Sequence, residues 1–163
     1  MRRLLLATTL LVAAASQAAE TISMDVHRDA NCGCCKDWIS HLEANGIQVN
    51  DHVENDMSAV KQRLGVPPRL ASCHTGVIDG KFVEGHVPAS DILKLRQRPD
   101  LLGAAVPGMP HGSPGMETGV VHAYQVIGLQ QDGKEEVLAD YPGKQPRQPA
   151  APTRRNTRGL APP

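Results

Sequence analysis

Apolar positions change period several times along this chain. Over residues 21–27 (TISMDVH) they alternate: Ile22, Met24 and Val26 are separated by polar neighbours, the period of a half-buried strand. Over residues 36–45 the spacing becomes three and four. Trp38, Ile39 and Leu42 then share one helical face, and Asn45-Gly46 supplies a C-terminal stop. Residues 47–53 return to strand period, with Ile47, Val49 and Asp51 on one side. Asp56 is placed to cap a short helix carrying Met57, Val60 and Leu64, which Gly65-Val66-Pro67-Pro68 breaks. Residues 75–78 and 81–84 flank Asp79-Gly80, a hairpin with a tight primed turn. Pro88 suits the first turn of a helix running to Arg98 and closed by Pro99.

The order so far, β-α-β-α-β-β-α, is the thioredoxin order. Residues 106–117 then form a loop that carries Pro-Gly-Met twice, at 107–109 and 114–116. Residues 122–129 and 136–139 flank Asp132-Gly133 and predict a second hairpin that extends or covers the sheet. The predicted fold is α/β: a thioredoxin-like three-layer fold with a central mixed sheet and an extra C-terminal β-hairpin.

The ends of the chain read differently. Met1-Arg2-Arg3 is a basic start, residues 4–15 are apolar and uncharged, and Ser16-Gln17-Ala18 offers small residues for cleavage. Residues 1–18 are therefore predicted to be a signal peptide cleaved near Ala18, and the protein to be periplasmic. The apolar run is too short for an ordinary membrane span, and no other run is long enough. Residues 19–141 form the predicted thioredoxin-like metal-binding domain, and residues 142–163 a disordered, basic, Pro-rich tail. The formal net charge of zero conceals an asymmetry, since residues 19–141 hold ten Lys/Arg against seventeen Asp/Glu. The tail holds five basic residues and no acid. An acidic body argues against nucleic acid as a partner.

Chemistry concentrates in Cys32-Gly33-Cys34-Cys35, which holds three of the four cysteines. Adjacent cysteines bridge only with strain, so these thiols cannot all be structural disulfides. Crowded thiolates suit soft metals or dithiol redox chemistry, and a position where a strand turns into a helix lowers thiol pKa. Exported proteins meet an oxidising compartment, so such thiols need a metal or regular reduction. The fourth cysteine lies in Ser72-Cys73-His74-Thr75, just before the first hairpin. In thioredoxin-like chains a proline beside the dithiol occupies the place of His74. That register brings Cys73 and His74 beside residues 32–35. Plainer readings exist: Cys73 as a small buried apolar residue, His74 as a packing histidine, Met109 and Met116 as gap-filling side chains.

Clustered thiolates fit Cu(I), Zn(II) or iron–sulfur clusters. Structural zinc usually takes two separated C-x-x-C halves, whereas here the second half is one cysteine and a histidine. Vicinal thiolates favour clustered Cu(I), to which the thioethers of Met109 and Met116 would add soft ligands.

Four motifs occur in one order: Cys-Gly-Cys-Cys at 32–35, Leu-Gly-Val-Pro-Pro…Ala-Ser-Cys-His-Thr over 64–75, Val-Glu-Gly-His-Val-Pro-Ala at 83–89, and Val-Pro-Gly-Met-Pro…Gly-Ser-Pro-Gly-Met-Glu over 106–117. Together they resemble a family of small exported proteins catalogued as a domain of unknown function. That family includes the copper-resistance protein CopG, which is distinct from the ribbon-helix-helix repressor of the same name. The resemblance spans about residues 23–141, with His111 at a variable position and the tail beyond it. It implies a thioredoxin-like fold, copper held through Cys32, Cys34, Cys35 and Cys73, and a role in copper tolerance. It also implies interconversion of Cu(I) and Cu(II), or delivery of copper to efflux or chaperone proteins.

The expected function is thus a periplasmic copper-binding protein that prefers Cu(I), with Cys32 and Cys35 as a redox couple and a copper oxidoreductase activity open to it. His74 would be an accessory ligand, and Met109 and Met116 weak outer ligands. His86 is the weaker candidate, with packing against a helix start as its expected role. Two rivals stay open: a thiol-disulfide oxidoreductase acting on proteins through Cys32 and Cys35, and a zinc-stapled binding module.

Overall fold

The computed structural model describes residues 21–144, so the expected signal peptide and residues 145–163 of the expected tail lie outside the described residues. The elements follow in the order β1 (Ile22–Asp29), α1 (Gly33–Ala44), β2 (Ile47–Glu54), α2 (Met57–Arg63), β3 (His74–Ile78), β4 (Lys81–Glu84), α3 (Ala89–Arg96), β5 (Leu101–Ala105), β6 (Tyr124–Gln130) and β7 (Glu135–Tyr141). A single 3-10 turn, Pro68–Leu70, precedes β3. All the strands join one mixed sheet in the order β2-β1-β3-β4-β5-β6-β7. The pairs β1/β2 and β4/β5 are parallel and the other neighbours antiparallel. This is the α/β fold the hydrophobic pattern predicts, and its strand order is compatible with a thioredoxin-like arrangement.

Both faces of the sheet are covered, because neighbouring residues on one strand belong to different cores. Val83 of β4 packs with Met24, Val26, Trp38, Leu42, Ile92 and Leu95, which places α1 and α3 on one face. Phe82, one residue earlier, packs with Val66, Leu70, Ala105 and Leu129 on the other. The buried stripe of α1 is Cys35, Trp38, Ile39 and Leu42, at the three- and four-residue spacing of a helix lying on a sheet. Asp56 caps α2 by accepting from Ala59 N at 3.0 Å. Asp79 and Gly80 have φ of 50° and 74°, the two positive values that a primed hairpin turn requires.

Two boundaries and one strand differ from the sequence reading. Helix α1 begins at Gly33, not Lys36, so Cys34 and Cys35 lie in its first turn and Cys32 is its N-cap. Helix α3 ends at Arg96, and Pro88 caps it from outside. Strand β5 was not foreseen. It pairs with β4 and β6, and it joins the C-terminal hairpin to the sheet, so that hairpin extends the sheet. Among the described residues no helix is long and apolar enough to cross a membrane.

Candidate metal centre

The centre forms where the N-terminus of α1 meets the start of β3 and the exit of β4. Cys32 and Cys35 are joined as a disulfide, whereas Cys34 and Cys73 are free thiols. Cys34 Sγ lies 3.6 Å from Cys32 Sγ and 4.0 Å from Cys73 Sγ. Bonds of about 2.3 Å to a tetrahedral metal put its sulfur ligands about 3.8 Å apart. The observed spacings bracket that value. All four sulfurs lie within 4.8 Å of one another, so the structure brings together the four cysteines singled out from sequence.

Cys73 belongs to a second group as well. Its Sγ stands 3.2 Å from His74 Nδ1 and 3.3 Å from His86 Nε2, and the donor atoms of these three residues also fall within 4.8 Å. His74, the first residue of β3, is fully buried between Trp38 and His86, at ring-centroid distances of 4.2 and 4.9 Å. Its Nε2 donates to Gly85 O at 3.0 Å, and His86 Nδ1 donates to Pro114 O at 2.8 Å. Burial pulls both imidazoles below the ordinary value, His74 furthest; the facing His86 and the Lys61 charge add to it at His74. Burial, followed by the neighbouring Cys34, pushes the Cys73 thiol up to about 12. A cation at the centre would oppose that rise by stabilising the thiolate.

His86 thus faces Cys73, where the sequence reading gave it a packing role at the helix start. Position alone could not find it, because the β3–β4 hairpin carries it back across 13 residues. Sequence reasoning also missed the support beneath Cys73. Glu84 is fully buried and accepts from Lys61 Nζ (2.5 Å), Ser72 N (2.5 Å) and Thr75 Oγ1 (2.6 Å). This network fixes the backbone one residue before Cys73. The one visible signal was a carboxylate directly after two apolar residues, Phe82-Val83-Glu84.

The two Pro-Gly-Met units border the centre on separate sides. The first is tied to the Cys73 segment: Ser72 Oγ donates to Gly108 O, and Gly108 N donates to Ala71 O at 3.3 Å. The second lies over the start of α1. Gly115 has φ of +80°, and a Cβ there would stand 2.7 Å from Trp38 N and 2.8 Å from Cys34 O, so no other residue fits without displacement. Met109 is exposed and Met116 half-buried. His111 bonds Thr118 and faces His122, outside either donor group.

Fold and site together define a small α/β domain whose clustered cysteines and histidines can bind a metal ion. The chain belongs to the family of the copper resistance protein copG. Two solved structures of that protein, forms 1 and 2, are each 74% identical to this chain, with a TM-score of 0.74. In each case the match covers 76% of this chain and all of the other. Residues 70–116 also match the family model described as "Protein of unknown function, DUF411". No curated protein matches. The protein is therefore a homologue of a copper resistance protein with a cysteine/histidine cluster suited to metal.

Proposed function

We propose that this is a periplasmic copper-binding protein of copper tolerance, exported by the signal peptide of residues 1–18. With Cys32 and Cys35 reduced, it holds Cu(I) through the thiolates of Cys32, Cys34, Cys35 and Cys73. The single observation that carries this reading is the meeting of four sulfurs within 4.8 Å, one of them from 38 residues beyond the others. Thiolates are the donors that select Cu(I), and sulfurs this close can bridge two metals. Met109 and Met116 act as outer ligands on the two bordering loops. Cargo leaves to efflux or chaperone proteins.

The disulfide gives the site a redox step. Two Cu(II) ions each take one electron from the Cys32 and Cys35 thiolates, whose sulfurs join, and two Cu(I) ions result. Burial keeps His74 and His86 neutral, so protons released from the thiols pass to water, and copper oxidoreductase chemistry is compatible with the site. A disulfide at a helix N-terminus also favours the rival reading, a thiol-disulfide oxidoreductase acting on proteins. Against that rival, the Pro114-Gly115 backbone lies on the Cys34 turn, where a substrate strand would need access.

Metal content after anaerobic purification, for the reduced protein and for Cys34→Ser, tests the proposal. More than one equivalent of Cu(I), falling in the variant, supports it. Zinc at one equivalent would sink it, and insulin reduction indifferent to Cys34 would support the rival.

A further inference from the structure

We propose that His111 and His122 form a Cu(II) capture site on the loop that borders the metal centre, separate from the cysteine cluster. It rests on the reading of copper as cargo, and it gives Cu(II) a first landing place ahead of the thiols.

The site begins with a close approach of two backbone segments. Gly112 has φ of +89°, and a Cβ there would stand 2.9 Å from Val121 Cγ1 and 3.0 Å from Val121 Cα. Glycine alone lets residue 112 lie this close to residue 121. The residues flanking that contact are His111 and His122, and His122 N donates to His111 O at 2.8 Å. Lys144 N, donating to Val121 O at 3.0 Å, pins the second segment from its other side. The two imidazoles then meet edge to face, with ring centres 4.9 Å apart and planes at 64°. With His111 Nδ1 donating to Thr118 Oγ1 at 2.5 Å, the lone pair is on Nε2, the arrangement of a ligating histidine.

A ligating nitrogen lies about 2.0 Å from its metal, with the ring centre about 1.1 Å behind it, so two adjacent ligands hold their ring centres about 4.5–5 Å apart. The inclined pair at 4.9 Å meets that requirement. His27 and His52 also stand 4.9 Å apart, but stacked at 19°. Imidazole lone pairs lie in the ring plane, so rings that close to parallel cannot aim both at one ion. Carboxylates also hold a nitrogen on each of those rings, Glu54 at 2.7 Å and Asp25 at 2.9 Å.

Imidazole nitrogens suit Cu(II), which leads the divalent ions in affinity for such donors. His111 is half-buried and His122 exposed, so water completes the coordination and the ion stays exchangeable. His111 lies between the two Pro-Gly-Met units, one tied to Ser72 and the other lying over Cys34. Cu(II) held there waits beside the thiols that would reduce it.

The test loads the reduced, full-length protein with Cu(I) to its end point, so that no thiol is left to reduce the probe, and then adds one equivalent of Cu(II). Failure to take up Cu(I) would overturn the copper reading of the cysteines, and the thiols are then alkylated before the same addition. Pulsed paramagnetic resonance, which counts imidazole ligands, is expected to show two in the wild type and one in His122→Gln. Competition with a chelator should show Cu(II) held at least about tenfold less tightly in His122→Gln, and likewise in His111→Asn, which keeps a donor for Thr118. His52→Gln should change neither result. Equal Cu(II) binding by wild type and folded His122→Gln, or a loss in His52→Gln instead, overturns the proposal. Cu(I) uptake reports on the cysteines and Cu(II) coordination on the histidine pair, so the two readings fail independently.

Discussion

Cys32, Cys34 and Cys35 reach the candidate metal centre from the cap and first turn of one helix, whereas Cys73, His74 and His86 reach it from the segment (the strap) before β3, the start of β3 and the exit of β4. The first side is local. Helical geometry alone sets its spacing, and the stripe of Cys35, Trp38, Ile39 and Leu42 anchors it to the core. The second side is assembled from afar, over a buried carboxylate bound by three donors, from α2, from the segment before β3 and from β3 itself. One centre therefore has a sulfur side that tolerates distant change and an imidazole side that depends on it.

The sharpest way to break this comparison is at Lys61. Lys61→Met leaves the Glu84 carboxylate buried without its cation, which costs about 3–5 kcal/mol. Urea denaturation of the disulfide-closed protein reads this loss. Alkylation of Cys73 in the same variant should quicken while the Cys32–Cys35 disulfide stays formed. A loss well below that range would mean that the imidazole side has other support.

Gly115→Ala strikes the contact between the sides. Its Cβ would collide with Trp38 N and Cys34 O at a positive φ, for a loss of about 1–3 kcal/mol in thermal or urea unfolding. Displacement of Pro114 should also leave His86 Nδ1 without its acceptor, which adds to the loss.

The smallest effect, at most about 1.4 kcal/mol per pH unit for each proton, separates the sides by pH. His74 and His86 have lowered folded values, so below the ordinary 6.5 the unfolded chain binds protons that the folded one refuses. In the metal-free protein the contribution of these two histidines is therefore full above 6.5 and falls with acid. Cys73 is raised from 9.0 to about 12, so the unfolded chain loses its proton first. Its contribution is full below 9.0 and is lost between 9.0 and about 12. Urea midpoints across both windows should show a shallower alkaline limb in Cys73→Ser and a shallower acid limb in His86→Asn, each with the other limb unchanged.

Much of the fold was legible from periodicity. The alternation of Ile22, Met24 and Val26, the α1 stripe, the Asp56 cap and the Asp79-Gly80 turn all encode structure within a few residues. Strand β5 was not legible. Its sequence, Leu101-Leu-Gly-Ala-Ala, holds poor strand formers and is buried at every position but Leu102, so it shows no alternation. Gly103 is there for the Phe82 ring, which a Cβ would meet at 2.5 Å. That requirement comes from another strand.

The same division runs through the site. The sequence by itself determined that Cys32, Cys34 and Cys35 lie together, because residues at most three apart along the chain cannot be far apart in space. It also pointed to Cys73 and His74 as their partners. Only the tertiary structure decided that His86 aims at Cys73, that Glu84 and Lys61 hold the strap, and that the Pro-Gly-Met loops border the pocket from two sides. The physical reason is range. Helix and turn geometry fix neighbours through local bonds, while the direction of a buried imidazole or carboxylate is fixed by whichever distant donor or acceptor satisfies it.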